Sequence, residues 1–413
     1  MPTTPTAEIP PTQRSAPFIE TVVVQPTPFC NINCRYCYLP DRDSKATMAL
    51  ATIEALFSKV FASGWTGDEL TVIWHAGEPL VLPVSYYETA FRAIEALRPP
   101  ALALRHAFQT NGMLISPEWC ALFKDWDVGV GVSIDGPKAL HDANRVTRSG
   151  RGTFERTVAG MRLLRQENVP FHVISVLSAE SLRSPEEMLD FYLAEGVEDI
   201  CFNVEESEGD HVSGLFAASD FAERFRIFLE RFWTLARESG RVRSIREIDD
   251  ILPRIFRPAS GDADEEADVA NVQAQPFGML NVACDGSASS FSPELLGLKN
   301  AAYNDFIIGN VLTDSLESML NGAAMKAMAR DIAAGVEICR KSCEYFSICG
   351  GGTPINKLTE NSRFDSGETA FCRLVEKIPT DLVLGAFDRL EQAIECGAIP
   401  AQDPARLAPA KAG

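Results

Sequence analysis

Residues 27–42 read TPFCNINCRYCYLPDR, and their three cysteines, Cys30, Cys34 and Cys37, follow a short apolar run with the spacing Cys-x3-Cys-x2-Cys. A four-iron, four-sulfur (4Fe-4S) cluster normally takes four thiolates, so three from one tight loop leave one iron open to a small molecule. A structural zinc site instead closes four ligands around the metal. This loop contains no histidine and no fourth cysteine. The spacing therefore reads as a cluster ligand set with one corner free.

Outward from this loop the chain alternates short strands with helix-period segments. Strands are predicted at 19–25 (IETVVVQ), 69–75, 105–110, 128–134, 171–177 and 199–205, each rich in β-branched or aromatic residues. Six βα units predict an α/β fold with an incomplete parallel (βα)6 barrel. The clearest helix follows: Ser219 or Asp220 can cap it, Phe221, Phe225, Phe228, Phe232 and Leu235 recur on one face, and Gly240 can end it. The expected layout is a disordered tail over 1–17, the barrel over 18–257, an acidic linker over 258–275, a small cysteine-rich domain over 276–378 and a C-terminal helix and tail over 379–413. Within the fourth segment a helix is predicted over about 314–333.

The chain has 413 residues, 46% hydrophobic and 23% charged, enough apolar material for a large core and a smaller module. Its net charge of -19, from 57 acidic against 38 basic side chains, gives no electrostatic footprint for nucleic acid or anionic lipid. No run of about 18 apolar residues offers a membrane span. The Pro/Thr-rich start lacks the apolar segment of a signal peptide, which predicts a cytoplasmic location. Eleven cysteines without an export signal read as metal or redox ligands rather than disulfides.

Further motifs fall near predicted strand ends, where βα barrels place their sites. They are WHAGEPL at 74–80, QTNG at 109–112, SIDGP at 133–137 and HDANR at 141–145, followed by GRGTF at 150–154. With the cysteine triad they make the chain resemble the radical S-adenosylmethionine (SAM) superfamily, whose CxxxCxxC signature follows the first barrel strand. The resemblance implies that SAM chelates the open iron and that one electron cleaves it to a 5′-deoxyadenosyl radical, which abstracts hydrogen from unactivated carbon. It implies that Glu78, with Gly77 and Pro79, receives the ammonium of SAM, with Ala76 standing for the first glycine of the family's GGEP motif. It also implies that Asn111, Ser133 and Asp135 approach the ribose and carboxylate, and that Tyr36 and Arg145 belong to the same cofactor site. Singly, SIDGP reads equally as a turn and Glu78 as a solvated carboxylate; their order carries the resemblance. No catalytic acid or base is assigned. Of the histidines, His75 is expected near the site, while His106, His141, His172 and His211 are scattered. Cys120, Cys201 and Cys396 read as small buried apolar residues.

Cys339, Cys343, Cys349 and Cys372 resemble the SPASM extension of peptide maturases, which carries auxiliary 4Fe-4S clusters. Four thiolates suit one such cluster or a structural zinc. Cys284 stands where a second auxiliary site would begin, but Ser290 and Thr353 occupy positions where partner cysteines belong, so one auxiliary cluster is expected. The run CGGGTPINKLTENSRFDSGETAFCRL at 349–374 further resembles the GrrM-type maturases. That likeness implies modification of a glycine-rich, ribosomally made precursor peptide by carbon-carbon bonds between an aromatic ring and a nearby β-carbon, giving a cyclophane. A reduced flavodoxin or ferredoxin-type protein is the implied electron donor. Two other readings stay open: formylglycine formation in the manner of anaerobic sulfatase maturases, and a non-catalytic iron-sulfur or zinc protein for electron transfer or scaffolding. No stretch ahead of the barrel suits a leader-binding domain, so peptide recognition is expected at the barrel mouth, the second domain or a separate partner. An extended peptide adding to a sheet edge near the GGG segment is one such mode.

Overall fold

The computed structural model describes residues 17–206, 213, 219–256 and 271–395. The tail over 1–16, residues 258–270 of the acidic linker, His211, Cys396 and the C-terminal end lie outside the described residues.

All six predicted strands are present: β1 (Ile19–Val24), β2 (Thr66–Trp74), β3 (Ala103–Thr110), β4 (Gly129–Ser133), β5 (His172–Leu177) and β6 (Asp199–Val204). They pair in chain order, each pair parallel. Helices α1 (Leu50–Ala62), α2 (Val84–Leu97), α3 (Pro117–Asp125), α4 (Lys138–Asn144), α5 (Phe154–Gln166) and α6 (Pro185–Ala194) connect them. In β1, Val22, Val23 and Val24 are all buried, so both of its faces are covered. That is the condition that makes parallel strands near-continuously apolar.

The (βα)6 expectation is corrected to a mixed ten-stranded sheet. After α7 (Phe221–Ser239), β7 (Ser244–Ile245) adds parallel to β6. At the other edge β8 (Met279–Val282) adds parallel to β1, pairing Val282 with Val24. β9 (Ser287–Ser290) and β10 (Gly309–Asn310) continue antiparallel, giving the order β10-β9-β8-β1-β2-β3-β4-β5-β6-β7. The four added strands are only two to four residues long, too short to show a period of two.

In α7, Phe221, Phe225, Phe228 and Phe232 are buried, Leu235 is half-buried, and Gly240 ends the helix at φ 62. Asp220 is its N-cap residue but makes no capping bond; its carboxylate pairs with Arg224 instead. Short helices α8 (Arg246–Asp249) and α9 (Leu252–Ile255) follow. The single helix predicted over 314–333 is two, α10 (Leu316–Asn321) and α11 (Ala323–Ser342), divided where Gly322 takes an extended backbone. α11 runs on to Ser342 because Met325, Met328, Ile332, Val336 and Cys339 continue one buried stripe at helical spacing. α12 (Phe346–Cys349), α13 (Pro354–Asn361), α14 (Ala370–Cys372) and α15 (Ile378–Glu395) complete the described chain. Among the described residues no helix is long and apolar enough to cross a membrane.

Candidate active site

The cysteine loop joins β1 to α1 and is clamped from two sides. Asn33 N and Arg35 N donate to Val146 O (2.7 Å) and Asn144 O (3.0 Å) at the end of α4, and Glu78 N donates to Phe29 O at 2.8 Å. Cys30, Cys34 and Cys37 face one cavity of about 370 Å³ at the carboxyl ends of the barrel strands. Burial, followed by Glu78, pushes the Cys30 thiol up to about 12; burial pushes Cys34 to about 11 although Arg145 opposes it. A bound cation reverses that balance, since it deprotonates the thiols it coordinates. Three soft donors beside open space fit a 4Fe-4S cluster with one free iron. Among the described residues no three His, Cys, Asp or Glu side chains converge as ligands of a single ion; a four-iron cube holds its thiolates farther apart than one ion does.

Six of the expected cofactor residues, Tyr36, Gly77, Glu78, Asn111, Ser133 and Arg145, line this cavity; Pro79 and Asp135 stand behind it. Glu78 Oε1 accepts from Leu80 N (3.0 Å) and Thr110 Oγ1 (2.6 Å), and Oε2 accepts from Asn111 N (2.8 Å). Burial still raises its pKa to about 7 against those three bonds. A carboxylate has about four acceptor positions. Glu78 therefore ties the end of β2 to the end of β3 and keeps about one position for a ligand. Asn111 Nδ2 donates to Asn31 Oδ1 at 2.7 Å, which anchors the cysteine loop to β3, and Gln109 Nε2 donates to Ser133 Oγ at 2.8 Å.

Behind the triad, Asp135 accepts from Tyr36 Oη and from Val176 N (3.0 Å) and is ion-paired with Arg145 Nε at 3.0 Å. The Arg145 guanidinium lies 5.4 Å over the Tyr36 ring and 4.0 Å from Cys34 Sγ. A charge this deeply buried needs its partner, so Asp135 acts on the cavity through Arg145. His75 lines the cavity with Nε2 3.4 Å from Tyr38 Oη and Nδ1 buried without a partner; burial lowers its pKa to about 4. His106 and His141 are internal: Trp74 Nε1 donates to His106 Nδ1, and His141 Nε2 meets Thr153 Oγ1.

The second cysteine group sits where α11, α12 and α14 end or begin. Cys343 follows one turn after Cys339, its N–H donating to Cys339 O at 2.9 Å. Cys343 lies within electrostatic range of Cys349, and Lys377 of both Cys343 and Cys372. The NKLTEN segment on α13 serves this group. Lys357 Nζ, buried, is 3.4 Å from Cys339 Sγ and donates to Gly335 O at 2.9 Å; the Glu360 carboxylate accepts from Ala370 N and Phe371 N, ahead of Cys372. Ser290, at a position where a further cysteine would belong, accepts from Phe277 N at 2.8 Å. Cys284 lies apart in the β8–β9 turn, within electrostatic range of Tyr86 on α2.

Sequence reasoning missed Gln109, Glu205, Glu206 and Glu294, which also line the cavity. Ile73/His75 and Ile174/Val176 alternate along their strands, but 109–111 and 203–206 line the cavity as consecutive runs at the strand ends, and the available signal for them was their position there. No local pattern brings Glu294 there.

The radical SAM superfamily model matches residues 24–192. Uncharacterized protein sll1766 of Synechocystis sp. is 38% identical over 371 residues, 89% of this chain and 92% of that one. The serine-type anaerobic sulfatase-maturating enzyme of Klebsiella aerogenes is 27% identical over 349 residues, 83% of this chain and 82% of that one. Among solved structures, native anSMEcpe with bound AdoMet superposes with a TM-score of 0.73 at 19% identity, covering 91% of this chain and 99% of that chain. Streptococcus suis SuiB bound to precursor peptide SuiA gives 0.60 at 13% identity, covering 86% and 76%. At those identities the structural likenesses speak to the fold.

Proposed function

The chain belongs to the radical SAM superfamily, and from that premise we propose that it is a maturase of a ribosomally made, glycine-rich precursor peptide, joining an aromatic ring to a nearby β-carbon. The family takes SAM and a 4Fe-4S cluster, which together supply a carbon-centred radical able to take hydrogen from an unactivated C–H bond. Cys30, Cys34 and Cys37 would hold the cluster, with Glu78, Asn111, Ser133, Tyr36 and Arg145 around the cofactor. Asp135 keeps Arg145 charged and in place beside Cys34.

The observation that carries the reading is the junction at Asn356 and Lys357. Adjacent on α13, one donates to Glu206 in the cavity and the other to Cys339 in the second cysteine group. An auxiliary cluster on Cys339, Cys343, Cys349 and Cys372, in a SPASM-like region over 276–378, would thus adjoin the wall of the substrate cavity. That proximity supports its use as acceptor of the electron released when the crosslink closes. The primary electron would come from a reduced flavodoxin or ferredoxin-type protein. Co-expression with a precursor peptide encoded beside the enzyme tests the reading: the expected product has lost about two hydrogens per crosslink, and a peptide of unchanged mass counts against it.

A second reading, oxidation of a serine or cysteine to formylglycine, is favoured by the 27% identity to the Klebsiella aerogenes sulfatase-maturating enzyme. Aldehyde trapping on a sulfatase-type peptide distinguishes the two, because a crosslinked product contains no aldehyde.

A further inference from the structure

We propose that Glu206 and Glu294 form a carboxylate pair in the barrel cavity that accepts the proton released when the substrate's aromatic ring is crosslinked. The proposal rests on the peptide-crosslinking reading and supplies the base which that reading leaves unnamed.

The two residues come from opposite flanks of the sheet. Glu206 lies just past the end of β6, and Glu294 lies in the turn Pro293–Leu295 that follows β9. The fold brings both to the cavity that Cys34 and Ser133 also line. Asn356 Nδ2 donates to Glu206, and Ser292 Oγ donates to Glu294. No cation acts on either among the described residues: the charges felt by Glu206 are Glu294 and Glu360, both negative. Arg145, in the same cavity, is taken by Asp135.

Glu206 and Glu294 are half-buried and face one cavity with no cation between them among the described residues, so they compete for a single proton. Burial first, then Glu294 and Glu360, raise Glu206 to about 8 against the bond from Asn356, and burial raises Glu294. A base is most effective when its proton affinity lies near the working pH. A solvated glutamate is too weak.

Joining a ring carbon to a β-carbon removes two hydrogens from the peptide. One leaves the β-carbon as an atom, taken by the cofactor-derived radical. Once bonded, the ring carbon regains aromaticity by giving a proton to the ionised member of the pair and one electron to a one-electron oxidant, which an iron-sulfur centre held by Cys339, Cys343, Cys349 and Cys372 would supply. Asn356 and Lys357 put both exits on one wall.

The test uses reconstituted holoenzyme and its precursor peptide, measuring 5′-deoxyadenosine and crosslinked product together. For Glu206→Gln and Glu294→Gln the ratio of 5′-deoxyadenosine to crosslink is expected to rise about 100-fold, with Glu206→Asp returning part of the way to wild type. An unchanged ratio in both glutamine variants overturns the pair. Wild-type enzyme that forms 5′-deoxyadenosine with the peptide but no crosslink overturns the crosslinking reading, and the pair's role falls with it. Where a glutamine variant loses its iron or its fold, infrared spectroscopy of wild type and Glu206→Asp decides: a protonated carboxyl band at neutral pH that disappears on alkaline titration and shifts in Glu206→Asp, and so does not belong to Glu78, is expected, and a band identical in the two proteins, or none, overturns proton sharing.

Discussion

At Gly77 the backbone admits no side chain: φ is +79°, and a Cβ would lie 2.3 Å from Thr27 O and 2.9 Å from Phe29 O. The carbonyls it would strike belong to the segment entering the cysteine loop, so this glycine sets how closely the β2 end approaches the triad. Ala76 beside it also takes a left-handed backbone, at φ 67, where an L side chain costs about 1–2 kcal/mol. The bond from Glu78 N to Phe29 O on one side and the buried strand end on the other keep it there. Ala76→Gly is therefore expected to raise the urea-unfolding free energy of the apoprotein by about 1 kcal/mol, the relief of strain being partly offset by glycine's chain entropy. Gly77→Ala is expected to push the cysteine loop away and to lower iron uptake on reconstitution, measured by iron analysis. The GGEP likeness is thus legible in the letters, but its reason is a contact between two loops.

At the level of elements, β2, β3, α2 and α3 meet through aromatic rings: Trp74 packs edge-on to Tyr87, and Phe108 packs against Trp119 and Phe123. His106 belongs to this layer, stacked on Phe91 with ring centroids 4.0 Å apart. Burial lowers its pKa from 6.5 to about 4, although Glu95 pulls the other way. Because the folded value is the lower one, the unfolded chain takes up the proton first. Stability from this residue is complete above about pH 6.5 and is lost as pH falls toward about 4, by roughly 3 kcal/mol across the window. Urea titrations of wild type and His106→Asn should show the variant lacking that acid loss, whatever its constant offset; parallel acid limbs would disprove the assignment. α13 makes a similar point. NKLTEN is recognisable as a string, yet only the folded helix shows that Asn356 turns to the cavity, Lys357 to Cys339 and Glu360 to the start of α14.

For the whole molecule, the decisive seam is β1 against β8. Thr21–Val24 pair with Met279–Val282, and Lys59 of α1 donates to Asp314 O at 2.7 Å, so the C-terminal region completes the barrel's sheet. A chain ending at residue 256 would leave the apolar β1 as an open edge. It is expected to aggregate in size-exclusion chromatography and to lack a cooperative thermal transition; a monomeric, cooperatively melting fragment would show that the barrel stands alone. The sequence by itself determined the six barrel strands and picked out the cysteine triad, six further residues that the fold brings to the cavity and the second cysteine group, because hydrophobic period, cysteine spacing and strand-end motifs are local in the chain. Only the tertiary structure decided the ten-stranded sheet, the removal of Asp135 to a supporting position behind Arg145, and the meeting of Glu206 with Glu294. These depend on short edge strands and on residues about ninety positions apart brought to one cavity by sheet curvature, and neither short pairings nor long-range approach leaves a period that a linear chain can display.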